Sequence, residues 1–523
     1  MNTSKTTCLA LLVILAAAVR LGAASSTWDG GSADNANWST AANWNNDTAP
    51  ASAADTDITL AGTLRPTIEL DEDFTLKTLT KSGTTAFTIN STAGKILSIY
   101  GNGSNNAVTN SSSGLFTINA DIKLYGTTRF ATTSGAMKLG AINLNGNNVT
   151  FNANNDVRSI TLAGTISGSA TLVEYIGAGT YIIESQNSYD APTRLSNGTL
   201  KIKANNAFGS DGRQLNLGQT STSNRTLTVL TEAAVAVNNT IVLAASTGTA
   251  HTYTVGGNTA HTSSFKHMRL ANDVQNVTLN LTAATDGRVN ITGNITDLET
   301  ATGNGSIVKT GDGTVALSNS TAVHTYKGDT TVNAGTLLIN GTLAAAGNAA
   351  VNVASTGTLG GTGSINRNVT LADNATLQIG DISASTPVTA AFTINANLAL
   401  GASVTVKFDL GATQTASDSL VVNGDLALGG TLTFDLTALD GFGQAGASNL
   451  TLLSVTGNIT GGNPANLITF TGADYTANYT LQINANSIQL ISSTAPTIPE
   501  PAITAALFAF GALLLANVRH RKS

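Results

Sequence analysis

Short runs of aliphatic and β-branched residues recur along the chain, and most are closed by Gly, Asn or Ser. Residues 306–343 show this most clearly: TVALS at 314–318, TTVN at 330–333, TLLIN at 336–340 and GTL at 341–343. Val, Ile and Thr suit a pleated, half-buried surface. Gly and Asn accept the positive φ of tight turns. No helical period of 3.6 survives that punctuation, so the pattern predicts strand, turn, strand, turn. Similar runs stand at 75–79, 87–90, 96–100, 115–119, 122–125, 141–144, 149–151 and 160–162, and again at 226–230 and 234–243. Between 392 and 490 the alternation lengthens, as in SVTVKFDL at 403–410, TLTFDL at 431–436 and LTLLSV at 450–455. Strands this short hold no core singly and must stack. The expectation is an all-β chain.

The pattern also repeats. GAGTYIIE at 177–184 lines up with GDGTVALS at 311–318. After three extra residues in the second copy, Tyr189 falls on Tyr326, Thr193 on Thr330, and GTLKI at 198–202 on GTLLI at 335–339. Glu174 and Tyr175 stand where the second copy has Val308 and Lys309. The order G-x-G-T, strand, Tyr, Thr, G-T-L resembles the autotransporter-associated β-strand repeat of bacterial surface and secreted proteins. Copies fall near 164–202 and 303–343. The resemblance implies a right-handed parallel β-helix over 25–490, passenger-like, whose rungs bury one another and leave an extended face for contacts. The large C-terminal membrane barrel of a true autotransporter is not expected after residue 490.

Composition narrows the function. Charged residues are only 11% of 523 and the apolar share is 41%, which suits β-structure with polar, uncharged outer faces rather than disorder. The formal net charge is −6, and Lys5, Arg20, Arg519, Arg521 and Lys522 all lie near the termini. The body is therefore more acidic still and has no basic stripe, so nucleic acid is not an expected partner. The only cysteine, Cys8, precedes the first apolar run. No disulfide framework, Cys-based zinc site or Cys nucleophile is expected in the mature chain.

Few residues invite chemistry. Trp28, Trp38 and Trp44 lie in TWDGGSADNANWSTAANW at 27–44, which resembles the mature N-terminus of proteins carrying this repeat. A solenoid needs its first rung covered, and packed indoles would do so; a sugar-stacking platform is the alternative. His251, His261 and His267 are spaced by ten and six, unlike a helical metal-binding pair. His261 and His267, an even number apart, would share a face if they stood on one strand. Asp71, Glu72 and Asp73 read as a solvated turn. Ser417 and Asp418 lack a nearby histidine, since none stands between His324 and His520. No catalytic, cofactor or metal site is expected. A β-helix polysaccharide lyase or glycosidase is the enzymatic alternative. It needs carboxylates converging on one face, and here they are scattered.

The ends carry address signals. Residues 1–24 read as a secretory signal, with Lys5 before the apolar run at 9–19 and small residues before Ser25. A Ser/Thr/Pro linker at 491–498 leads to Pro499, Glu500 and Pro501, an apolar stretch at 502–518, and the basic tail Arg519, His520, Arg521 and Lys522. At about 1.5 Å per residue, the apolar stretch reaches about 25 Å, enough for a single transmembrane helix. The basic tail would stay in the cytoplasm. This order resembles the PEP-CTERM sorting signal of Gram-negative bacteria, here at 499–523. The resemblance implies export by the general secretion machinery, a transient inner-membrane anchor and recognition by an exosortase. Delivery to the cell surface, outer membrane or extracellular matrix would follow. Exopolysaccharide or surface glycan is the expected partner.

Overall fold

A computed structural model describes residues 25–492, apart from 93, 104, 219–223, 245–250, 271–274, 382–388, 444–448, 462–466, 472–474 and 476–477. The expected signal peptide, sorting motif, transmembrane helix and basic tail lie outside the described residues.

Strands of two to seven residues alternate with turns, and among the described residues the only helical segments are short 3-10 turns. Outside the C-terminal hairpin the pairing is parallel, and within each ladder a strand pairs with the one lying one coil later. Gly305–Thr310, for example, pairs with Val277–Ala283 before it and Thr330–Val332 after it. Repetition of this pattern makes a three-sided parallel β-solenoid. Its second face is one continuous ladder from Thr67–Leu70 to Ile459–Gly461. The first face is a 12-stranded ladder from Ser25–Trp28 to Ile295–Thr296, continued by an 8-stranded one that starts at Val323–His324. The Thr325 amide donates to the Ile295 carbonyl (2.9 Å) at that junction. The third face holds a 5-stranded ladder from Phe74–Leu76 to Ile166–Ser167 and a 10-stranded one from Ala236–Val237 to Leu467–Thr471.

Corners explain why some apolar runs read as single strands. The run at 75–79 is two strands, Phe74–Leu76 and Thr78–Lys81, bent at Lys77. Leu76 and Leu79 both point inward although three positions apart, because the chain turns a corner between them. The run at 234–243 divides in the same way into Ala236–Val237 and Thr240–Leu243.

Inward residues stack in columns down the axis. On the second face the register aligns Tyr181, Leu200, Val229, Val255, Leu281, Lys309, Val332, Val353 and Leu371, all buried. Each aliphatic member contributes about 1.5–3 kcal/mol by leaving water. On the first face Phe130, Phe151 and Tyr175 stack at 5.7 and 5.3 Å. The C-terminal coil ends in an antiparallel hairpin. Tyr479–Ile483 pairs with Ser487–Ser492, which pairs with Leu450–Val455 and covers that strand's edge.

The two repeat copies do not occupy the same faces. In the first, Val173–Ile176 and Thr180–Ile183 lie on faces one and two. In the second, Gly305–Thr310 and Thr314–Leu317 lie on faces two and three. The repeat therefore specifies a corner with its two flanking strands, and that unit can be turned by one face about the axis.

Candidate interaction surface

The order shared by the two copies has a physical reason at its glycines and at its Tyr and Thr. Gly311 and Gly335 sit at φ +72° and +61°. A Cβ on Gly335 would strike the carbonyl oxygens of Gly311 and Gly313 below it; on Gly198, those of Gly177 and Gly179. Corners of successive coils nest only because these positions lack side chains. The paired Tyr and Thr meet in both copies: Tyr189 and Tyr326 each share a 2.6 Å hydrogen bond with Thr193 and Thr330, fully inside the protein.

Around the second copy the interior is unexpectedly polar. Lys309 stands in the aliphatic column, yet its ammonium reaches the corner and donates to the carbonyls of Thr310 (2.9 Å), Gly311 (2.7 Å) and Ala334 (2.9 Å). Arg367 is 3% exposed. Its guanidinium lies 4.7 Å from the Tyr326 ring centroid and donates to the carbonyls of Ala344 (2.8 Å), Gly328 (2.7 Å) and Tyr326 (2.5 Å). Asp297 accepts from the amides of Gly305 (3.0 Å) and Lys327 (2.8 Å). These charged groups satisfy backbone atoms at corners too tight to pair among themselves.

His324 is buried beside them, its Nδ1 accepting from the Ile295 amide at 3.2 Å. Burial, and then the Arg367 charge, push its pKa down to about 4. The unfolded chain, with the ordinary value of 6.5, binds the proton first. The stability that rests on neutral His324 is thus fully present above pH 6.5 and lost as pH falls toward 4, to an extent of about 3 kcal/mol. Unfolding curves of wild type and His324→Gln should converge over that interval. A gap that stays constant between pH 7 and 4 would count against this assignment.

The residues singled out in the sequence occupy structural positions. Trp28, Trp38 and Trp44 are all fully buried. Trp44 meets Trp28 and Trp38 edge-on at 5.1 and 5.0 Å, Trp38 reaches Phe74 at 5.1 Å, and Trp44 Nε1 donates to the Trp38 carbonyl at 2.7 Å. Their ring faces are turned into the N-terminal core, so the sugar-stacking alternative is corrected: a glycan in solvent has no indole to rest on. Asp71 accepts from the amide and hydroxyl of Ser39 (3.0 and 2.5 Å), and Asp73 from the Ile96 amide at 3.0 Å. Ser417 Oγ donates to the Thr413 carbonyl at 2.8 Å, and Asp418 accepts from the amides of Ala390 (2.6 Å) and Asp409 (2.8 Å). Both brace turns. His261 and His267 flank the strand Thr262–Phe265, and the corner at 266–267 breaks the alternation that would have placed them on one face. His267 Nδ1 accepts from the Asn294 amide at 3.1 Å, and His251 packs edge-on against Tyr253. Among the described residues no three metal-ligating side chains gather. Some outer carboxylates are engaged in ion pairs, including Arg194–Glu174 (2.9 Å), Lys201–Glu232 (2.7 Å), Arg288–Asp381 (2.7 Å) and Lys407–Asp435 (3.2 Å).

One surface feature emerges only from the alignment of successive coils. Where the first face turns into the second, C-terminal to the second copy, the corners shorten to three residues: Asn366-Arg367-Asn368, Asn395-Ala396-Asn397 and Asn423-Gly424-Asp425. The leading amides form a ladder. Asn395 Nδ2 donates to Asn366 Oδ1, and Asn423 Nδ2 to Asn395 Oδ1, both at 2.7 Å. The trailing residues form a second ladder in which each side-chain oxygen accepts the next coil's amide: Asn368 from Asn397 (3.2 Å), Asn397 from Asp425 (2.9 Å) and Asp425 from Asn458 (2.8 Å). The signal was an Asn-x-Asn or Asn-x-Asp triplet recurring once per coil, 29 and then 28 residues apart. At its N-terminal end this corner widens into a cleft of about 560 Å³, lined by Asn276, Asn304, Ser306, Lys327, Asp329 and Asn348 among others.

Comparison with known proteins bears on the repeat first. The passenger-associated-transport-repeat model matches residues 174–202 and 307–339, the two stretches that align within the chain. Over 243 residues, 41% of this chain, the sequence is 30% identical to the adhesin BmaC autotransporter of Brucella suis biovar 1 (strain 1330). The match spans 6% of that protein's length. Among solved structures, the Haemophilus influenzae Hap adhesin aligns with a TM-score of 0.27 and 12% identity, covering 86% of this chain and 65% of that one.

Proposed function

We propose that this chain is an exported, non-enzymatic structural or adhesive protein of the cell surface, built as a right-handed parallel β-solenoid. The observation that carries the reading is the fate of its polar groups. The buried charges brace corners, some outer carboxylates pair with neighbouring cations, and with charged residues only 11% of the chain the outward surface is long and mostly uncharged. The passenger-type repeats and the likeness to a protein named an adhesin support the same reading. A solenoid supplies reach and contact area without needing a reactive group.

The C-terminal motif supports a route to that surface. The order Pro499, Glu500, Pro501, then an apolar stretch and a basic tail, is what supports recognition by an exosortase in this reading. Surface glycan or exopolysaccharide is the partner proposed. Fractionation of cells carrying intact or Glu500→Ala protein, with mass spectrometry of the C-terminus, tests the sorting step. The intact protein should lose its tail and leave the inner membrane, and the variant should stay there uncut. Identical location with an uncut tail in both would sink the sorting proposal.

A further inference from the structure

We infer that the corner between the first and second faces, from Asp329 to Asn458, is a binding strip for a linear, uncharged polysaccharide lying along the solenoid axis. The inference deepens the surface-protein reading and rests on it for biological setting, though not for the binding itself.

The strip has two rows of polar groups with small residues between them. Asn395, Asn423 and Thr456 on one side, and Asn368, Asn397, Asp425 and Asn458 on the other, are exposed. The positions between them, Ala396, Gly424 and Gly457, are half-buried. The remaining central residue, Arg367, folds its charge inward onto backbone carbonyls. The middle of the strip is therefore recessed and free of long side chains. Asn423 spends one N–H on its neighbour and Asn395 one N–H and one oxygen lone pair, and each keeps further hydrogen-bonding capacity for solvent. Those groups recur with every coil at the spacing of parallel strands, about 4.8 Å. Repeating hydroxyls on an extended polymer meet such a row several times over, so weak single contacts add.

Charge selects among polymers. The strip and its cleft carry Lys327 and the inward-folded Arg367 against Asp329 and Asp425, with Asp297 behind them, and the whole chain is at −6. An acidic polysaccharide would face net repulsion and a nucleic acid more so. None of the exposed large hydrophobic side chains belongs to either row, so the strip lacks the apolar anchors of a protein interface. A hydroxyl-rich neutral chain is what remains matched. The 560 Å³ cleft, whose Asp329 accepts the Ala350 amide two coils before Asn368 begins the second row, offers room for a chain end or a branch.

The test is affinity electrophoresis of the purified full chain through gels holding hydroxyethyl cellulose, galactomannan or polygalacturonate. Retardation by at least one neutral polymer and none by polygalacturonate is expected. Ala396→Glu fills the recess without removing a ladder bond and should weaken retardation about tenfold, equivalent to losing one or two hydrogen bonds. Circular dichroism and melting confirm that the variant is folded; if it melts early, the exposed Thr456→Glu replaces it. No retardation by either neutral polymer, retardation by polygalacturonate alone, or undiminished binding by a folded blocking variant would each overturn the inference. Binding is read on purified protein, so its failure leaves surface placement standing, and failed surface placement leaves the binding result intact.

Discussion

Replacing Arg367 with Ala should destabilise the coils around the second repeat copy by about 3–5 kcal/mol. The guanidinium serves three carbonyls from three corner positions, Tyr326, Gly328 and Ala344. Its removal strands them away from water and also forfeits the contact with the Tyr326 ring. Lys cannot replace it, because a single ammonium on a flexible stem does not reproduce the planar fork; Arg367→Lys should recover less than half of the loss. In a stacked protein each coil is held by its neighbours, so damage stays local at first. Amide hydrogen exchange should therefore rise within 324–368 before it rises near either end. Uniform exchange, or a loss below about 1 kcal/mol, would show that the corner tolerates unpaired carbonyls.

Trp44→Ala should cost about 3–5 kcal/mol, as for other large aromatics truncated in a packed interior. Trp44 sits between Trp28 and Trp38 and bridges to Ser25–Trp28 of the first coil. Its loss removes both edge-on ring contacts and the hydrogen bond to the Trp38 carbonyl. Among the described residues the first coil has a stacked neighbour on one side only, so the Trp cluster supplies much of its burial. The expected result is early exchange over 25–60 and proteolytic trimming from the N-terminal side, with the coils beyond 300 unchanged. Trp44→Phe should retain most of the packing. Equal protection of the first coils in wild type and Trp44→Ala would contradict a covering role for these indoles.

The legible and the hidden parts of the fold divide along one physical line. Strand identity was readable because short β-branched runs with turn residues between them have no helical alternative, and the repeat was readable because its glycines and its Tyr–Thr pair are fixed by contacts inside one unit. What lay hidden depends on corners. Lys309 reads as an outward residue by charge, yet register places it between Leu281 and Val332 in the core, where only the neighbouring corner carbonyls make its burial tolerable. Arg367 is hidden for the same reason. The bend at Lys77 merges two strands into one apparent run, and the turn of the repeat by one face cannot be seen until coils are counted in space. The Asn triplets were visible as residues, but their alignment across coils needed the intervening segments to close to equal lengths.

Placement outside the cell is the claim on which the functional account depends. Val157 is 73% exposed, and Cys8 is the chain's single cysteine, so Val157→Cys supplies one reporter on the solenoid. Intact cells producing this variant are treated with a membrane-impermeant maleimide, and labelling is compared with that of lysed cells. The account predicts equal labelling before and after lysis, with wild-type protein unlabelled in intact cells. Labelling that appears only after lysis would contradict it.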